Sequence, residues 1–237
     1  MSAPSTDNLS RNAPFAWIGR FRRWEASGVL VALLVLFIAL SFATPAFLSQ
    51  YNLSVVARQA SFVGLIALGQ TLVLLIGGID LSVGAAAALS AIFGSLLLTQ
   101  TGIHPYAVLP ITAAFGFGLG CINGFFVAVL RLNPFIVTLA SWEIFAGATL
   151  VITKGYPIRP LGEQFRVFGQ GTIAGIPVPV VIFIAAGAIL TYLLARTRFG
   201  RNIYAVGGNR DAAELVGIRA WRVEFIVFGL AGMFAAL

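Results

Sequence analysis

Two carboxylates stand within or beside long apolar stretches of the sequence. Asp80 separates two such stretches, and Glu143 lies near the middle of another, between 134 and 153. An ionisable group is expensive at such a position, and it commonly serves an ion or solute pathway. Asp80 and Glu143 are therefore candidates for a translocation path, together with the amide of Asn123 in a third apolar stretch.

Each of these three residues also has a structural interpretation. Asp80 follows a Gly77-Gly78 turn and precedes a helical pattern, so the sequence favours a helix cap or helix junction there over contact with a solute. For Glu143, a solute-lining role and a hydrogen bond to another helix are equally compatible with the sequence. Asn123 fits either a bridge between helices or a contact with a polar solute.

The sequence lacks the residues that enzyme chemistry would need. With one histidine and one cysteine, His104 and Cys121, it offers neither a Cys/His zinc site nor an internal disulfide. A phosphate-binding P-loop needs Gly-Lys followed by Ser or Thr, whereas Lys154 stands between Thr153 and Gly155. We expect no catalytic site, metal or cofactor in this chain, and no nucleotide hydrolysis by it.

Composition indicates the elements that carry these residues. The 237 residues are 59% hydrophobic and 10% charged, which excludes a soluble globular domain and a disordered chain. The hydrophobic stretches predict an all-α, polytopic transmembrane helix bundle. Six full spans are expected at 28–48, 59–78, 81–98, 106–130, 134–153 and 177–195. A partial seventh at 225–237 is shorter than the roughly 20 residues that a crossing requires, so the chain is expected to be truncated at its C-terminus.

The basic residues set the predicted orientation. Eleven of the 15 lie in the N-terminal segment and in alternate loops on the same side, which indicates the cytoplasm. The net charge of +7 is then a feature of topology and indicates no affinity for nucleic acid. This gives a cytoplasmic N-terminal segment, 1–25, and a transmembrane domain, 26–237. Within that domain, 196–224 forms a cytoplasmic loop, and an external loop at 154–176 carries a short helix near 163–168.

The cytoplasmic loop contains the pattern of a two-turn helix. Asn209 can cap it, Asp211 lies in its first turn, and Gly217 can end it. A helix of this length is unstable alone in water, so it needs a partner surface on this chain or on another subunit.

Three motifs, in order, resemble those of ABC-type sugar importer permeases of the ribose, xylose and galactose branch. The first motif is Ile76-Gly77-Gly78-Ile79-Asp80-Leu81-Ser82-Val83-Gly84. The second combines Asn123-Gly124 with Asn133-Pro134-Phe135-Ile136-Val137-Thr138-Leu139. The third runs from Phe199 to Asn209 and continues through Ala212-Ala213 and Gly217-Ile218.

The resemblance implies a multi-pass permease subunit in the bacterial inner membrane that moves a monosaccharide or sugar-like solute by alternating access. Its implied partners are a separate ABC ATPase, a second permease copy, a periplasmic sugar-binding protein and membrane lipid. It also implies an ATPase-coupling loop that contains Gly200, Asn209, Ala212, Ala213, Glu214 and Gly217. Asn209 would cap the coupling helix, the two alanines would permit close docking, and Glu214 would offer a polar contact. The alternative is an ion-coupled secondary carrier that uses Asp80 and Glu143.

Overall fold

The structure, a computed structural model, describes residues 27–158 and 163–237. The chain divides into two compact units, residues 1–53 and 54–237. In the described part of the first unit, helix α1 (Ser27–Ala43) is followed by a turn in which Asn52 Nδ2 donates to the Phe47 carbonyl (2.8 Å). The predicted cytoplasmic segment 1–25 lies outside the described residues.

Helices dominate the second unit. The elements after α1 are α2 (Gln50–Leu75), α3 (Val83–Gln100), α4 (Pro105–Gly124), a π-helical turn (Phe125–Val129), α5 (Pro134–Thr153), α6 (Glu163–Gln170), strands β1 (Thr172–Ile173) and β2 (Ile176–Pro177), α7 (Val178–Arg196), α8 (Arg198–Gly208), α9 (Arg210–Leu215) and α10 (Ala220–Ala236). Within the described ranges, five helices are long and apolar enough to cross a membrane: α2, α3, α4 with its π-helical turn, α5 and α7. The predicted all-α membrane bundle is confirmed at this level.

The predicted span boundaries need correction at three places. Helix α1 has 17 residues and ends at Ala43, so it is shorter than the predicted first span. Arg58, predicted to separate two spans, lies inside α2. Helix α10 begins at Ala220 and includes Arg222 and Glu224, ahead of the predicted start at 225. A charged side chain marks the limit of the apolar layer. It does not end the helix, because the backbone hydrogen bonds of the helix continue beyond that layer.

The loop that was predicted to be external, 154–176, contains the predicted short helix. Helix α6 covers the expected 163–168, and the antiparallel pair β1–β2 follows it before α7 begins. Because α7 is one continuous helix, long and apolar enough to cross a membrane, this hairpin and helices α8 and α9 lie at opposite ends of it.

Helices α4 and α10 pack backbone to backbone through the glycines at every fourth position of α4, Gly116, Gly120 and Gly124. A Cβ atom on each would collide with the α10 backbone, at the carbonyl oxygens of Gly232, Phe228 and Phe225 respectively. Residues four apart lie on one face of a helix, and glycines there permit this close approach of two helix backbones.

The main core joins the membrane helices to the short helices of the predicted cytoplasmic loop. Leu72 of α2, Ile203 of α8 and Phe228 of α10 are fully buried in one cluster, which also contains Ala213 of α9. This cluster holds α8 and α9 against the ends of the longer helices, and so it positions the predicted coupling loop.

Candidate functional site

The two-turn helix of the predicted coupling loop is α9, and its ends have the expected chemistry. Asn209 is extended at the N-cap, and its Oδ1 accepts from the Ala212 amide (2.9 Å). Gly217 adopts a left-handed φ of 86°, where its amide donates to the Glu214 carbonyl (3.0 Å). The Ile218 amide donates to the Ala213 carbonyl (3.0 Å), which completes a Schellman motif. The predicted cap at Asn209 and stop at Gly217 are confirmed.

The two faces of α9 differ sharply. Ala213 is buried in the chain's own core, whereas Leu215 and Val216 are 89% and 77% exposed. Two neighbouring apolar side chains this exposed on a well-capped helix form a small apolar tip outside the core. Inspection of the sequence did not single out this pair, although both follow the predicted docking residues directly. Ala212 is exposed beside them.

Arg210 fastens α9 to α10. Its Nε donates to Glu224 Oε1 (2.7 Å), and its NH1 lies 3.0 Å from Glu214 Oε1 one turn later. The hydrogen bond to Glu224 is the main reason that the pKa of Arg210 is raised above its ordinary value. Arg131, in the connection before α5, lies 3.8 Å from the same Glu214 oxygen. Glu214 thus has partners within this chain, and the spacing of Arg210 and Glu214 was the available sequence signal.

Gly200 permits the tight turn from α7 into α8. Its amide donates to Thr197 Oγ1 (3.1 Å), which caps α8, and a Cβ at this position would collide with the Leu193 and Leu194 carbonyl oxygens. The predicted polar loop, 196–224, is mostly helical. Helix α8 is stabilised there because one of its faces, formed by Gly200, Ile203 and Val206, packs into the core. This 3.6-residue periodicity is visible in the sequence.

Asp80 lies in the break between α2 and α3. Its Oδ1 accepts from the Ser82 amide (2.8 Å) and from Ser82 Oγ (2.6 Å). The bond from the Asp80 side chain to the amide two residues later is an Asx turn. The N-cap residue of α3 is Ser82 itself. Burial raises the pKa of Asp80, and the Ser82 hydrogen bonds oppose part of that rise. Asp80 therefore lies at the junction between α2 and α3 and is hydrogen-bonded to the residue that begins α3.

A chain of hydrogen bonds connects this junction to two more helices. Asn123 of α4 donates through Nδ2 to Ser82 Oγ (2.7 Å), and Ser141 of α5 donates to Asn123 Oδ1 (2.5 Å). Thr138 Oγ1 of α5 accepts from the Leu81 amide (3.1 Å). We call Asp80, Ser82, Asn123 and Ser141 the junction network. All four are buried, and Asn123 acts in it as a bridge between helices.

Glu143 lies outside the junction network. It is exposed on α5, whereas Ser141 of the same helix is buried, so the structure does not bring Glu143 together with Asp80. Within the described residues there is no cluster of three or more His, Cys, Asp or Glu side chains that could hold a metal ion.

Comparison with known proteins identifies relatives for nearly the whole chain. The family model described as "Branched-chain amino acid transport system / permease component" matches residues 52–237. The ribose import permease protein RbsC of Bacillus subtilis is 42% identical over 89% of this chain and 66% of its own length. RbsC of Haemophilus influenzae is 38% identical over 93% of this chain and 68% of its own length.

A third relative extends the match across the full chain. The L-arabinose transport system permease protein AraH of Escherichia coli is 32% identical over 100% of this chain and 71% of its own length. The chain spans about two thirds of the length of the curated relatives it matches. No solved structure matches it significantly. The chain belongs to this family of membrane permease components, together with the ribose and L-arabinose permeases, and the predicted resemblance to sugar importer permeases is confirmed.

Proposed function

We propose that this chain is the membrane-spanning permease subunit of an ATP-driven ABC importer that carries a monosaccharide or sugar-like solute by alternating access. Family membership and the ribose and L-arabinose permeases among the relatives support it. They give no support to the alternative, an ion-coupled carrier that uses Asp80 and Glu143. A simple sugar is the supported solute class, since permeases named for several different sugars are similar to this chain.

A separate ATPase subunit docks on α9 in this proposal. The supporting observation is the apolar tip formed by Leu215 and Val216, which is held by a capped helix and projects away from the core. Burying two such side chains against a partner contributes about 1.5–3 kcal/mol each. The chain has no Gly-Lys-Ser/Thr sequence of its own to bind nucleotide, so the energy comes from that partner.

The residues of the coupling loop divide into supporting and docking roles. Asn209, Gly217 and Gly200 shape the loop, and Ala213 packs inward against this chain. Ala212 and Glu214 lie at the surface beside the apolar tip, and Glu214 adds charge at its edge. Docking is therefore tested at Leu215, because a charge at Ala213 would disturb the core as well.

The remaining parts of the proposal concern assembly and orientation. The chain is a multi-pass inner-membrane protein, surrounded by lipid, with six full crossings and a partial seventh in the apolar part of α10, from Phe225 onward. Its N-terminus and the 196–224 loop are cytoplasmic. It pairs with a second permease copy and receives solute from a periplasmic sugar-binding protein. Glu143 faces a water-filled path or the second permease, because an exposed carboxylate at mid-span costs about 2.5–3.5 kcal/mol against lipid.

Co-purification tests the docking proposal. The complete protein is solubilised from native membrane as wild type, as Leu215→Asp and as Ile173→Asp, and the bound proteins and ATPase activity are measured. Ile173 is the matched control, since it is also an exposed apolar residue but lies in the hairpin at the other end of α7.

The expected result is an ATPase subunit bound to wild type and to Ile173→Asp, and its loss from Leu215→Asp. Equal retention by both variants would overturn the docking assignment. No ATPase with wild type, under conditions that keep a known ABC importer assembled, would overturn the proposed function itself.

A further inference from the structure

Helix α8 touches the end of a membrane helix at one point where only glycine fits. Gly207 lies against the Leu75 carbonyl oxygen at the C-terminus of α2, and an added Cβ would collide with that oxygen. The same Cβ would lie 3.3 Å from the Ile76 Cα, and the three atoms nearest to it are all backbone atoms. Backbone cannot rotate aside as a side chain can. The neighbouring Gly208 has nothing within 4 Å of its Cβ position.

The contact is held from the α8 side by packing. Ile203 and Val206 of α8 are buried in the same cluster as Leu72 and Val73 of α2. Protein interiors are close-packed and transmit strain. Helix α9 follows α8 after the single extended residue Asn209, and its Ala213 enters the same cluster. A force applied to α9 therefore reaches Leu75 through α8.

On the other side of the contact, α2 leads directly into the junction network. Helix α2 ends in a Schellman motif, with Gly77 at φ 79° and the Gly78 amide donating to the Val73 carbonyl (2.9 Å). In the orientation that satisfies both of its amide atoms, Gln70 of α2 donates to the Asp80 carbonyl (3.1 Å) and accepts from the Asp80 amide (3.3 Å). Asp80 is thus tied to α2 as well as to Ser82, and a displaced Leu75 carries it along.

We propose that Gly207 is a positioning residue that transmits movement of the coupling helix α9 to the Asp80 junction and, through Ser82, Asn123 and Ser141, to α4 and α5. This inference rests on the proposed function, in which a partner ATPase moves α9. It adds the place at which that movement enters the membrane bundle. The contact between Gly207 and the Leu75 carbonyl acts as a joint, and the junction network distributes its displacement over three helices.

The test compares Gly207→Ala with Gly208→Ala in the complete transporter, reconstituted with its ATPase and binding protein. Both substitutions add one methyl group to adjacent glycines at the end of the same helix, so their effects on helix propensity match. Only the first introduces a collision. The readouts are ATPase co-purification, ATP hydrolysis, and solute imported per ATP hydrolysed.

Gly207→Ala should retain the ATPase subunit and its basal hydrolysis while the solute imported per ATP falls roughly tenfold or more. Gly208→Ala should resemble wild type. A merely structural defect would lower the amount of complex and leave that ratio unchanged. Normal coupling in Gly207→Ala, or an equal loss in Gly208→Ala, would overturn the inference while leaving the proposed function intact.

A measurement on wild type covers the case in which Gly207→Ala does not assemble. Hydrogen–deuterium exchange of the assembled transporter is compared with and without ATP, for peptides that cover residues 76–82. Transmission through this joint predicts a change in protection there when ATP binds. Unchanged protection at 76–82, with a change confined to 198–215, would overturn the inference.

Discussion

Replacing Gly120 by alanine tests the backbone packing that holds α4 against α10. A Cβ at Gly120 collides with the Phe228 carbonyl oxygen and comes within 2.9 Å of the Gly229 Cα, so the two helices must separate or bend. Overpacking of this kind costs about 1–3 kcal/mol. Alanine also gains about 0.5–1 kcal/mol over glycine within a helix, which partly offsets that cost.

Gly118 provides the matched control on the same helix. It is exposed, and nothing lies within 4 Å of its Cβ position, so Gly118→Ala should stabilise the protein by about 0.5–1 kcal/mol. The difference between the two variants isolates the collision, and it should amount to about 1–3 kcal/mol. Unfolding by SDS in mixed micelles, followed by circular dichroism, measures both. Equal shifts of the same sign would refute the close packing of α4 on α10.

Two further predictions concern the junction network. Ser141→Ala should destabilise the protein by about 1–2 kcal/mol in the same SDS titration, since it removes the donor to the buried Asn123 Oδ1. The control Ser95→Ala breaks a hydrogen bond within α3 only and should cost less than about 0.5 kcal/mol. Equal costs would contradict the role of Asn123 as a bridge between helices. Asp80→Asn keeps an acceptor for Ser82 and removes a carboxyl whose pKa burial raises above the ordinary 3.8. A raised pKa stabilises the fold most below pH 3.8, and that contribution is lost as the pH rises through the folded-state pKa, so wild type should gain stability relative to Asp80→Asn as the pH falls from 7 towards 4. A wild-type advantage that grows with rising pH would contradict this assignment.

The sequence predicted the membrane helices well where hydropathy alone decides them. Helix α5 has the predicted bounds, 134–153, and α7 differs from its predicted span by one residue at each end. The prediction failed at Arg58, Arg222 and Glu224, where a helix extends past the apolar stretch. A charge marks the limit of the apolar layer, and the helix itself ends only where its backbone finds other hydrogen-bond partners.

The candidate sites were predictable in their local parts and unpredictable in their pairings. Asn209 and Gly217 define α9 through interactions within a few residues, so their types and spacing suffice. The bond between Ser82 and Asn123 joins residues 41 positions apart, and no local pattern specifies such a partner. The same limit applies to Gly207, whose role depends on the backbone of α2.

Uptake into proteoliposomes measures ATP-driven import through this permease. The complete protein is reconstituted with its ATPase and binding protein, and labelled pentoses, hexoses and polyols are supplied with or without ATP and a proton ionophore. We expect that uptake of one such solute requires ATP and persists when the proton gradient is dissipated. Uptake that proceeds without ATP and stops with the ionophore would contradict the account and favour an ion-coupled carrier.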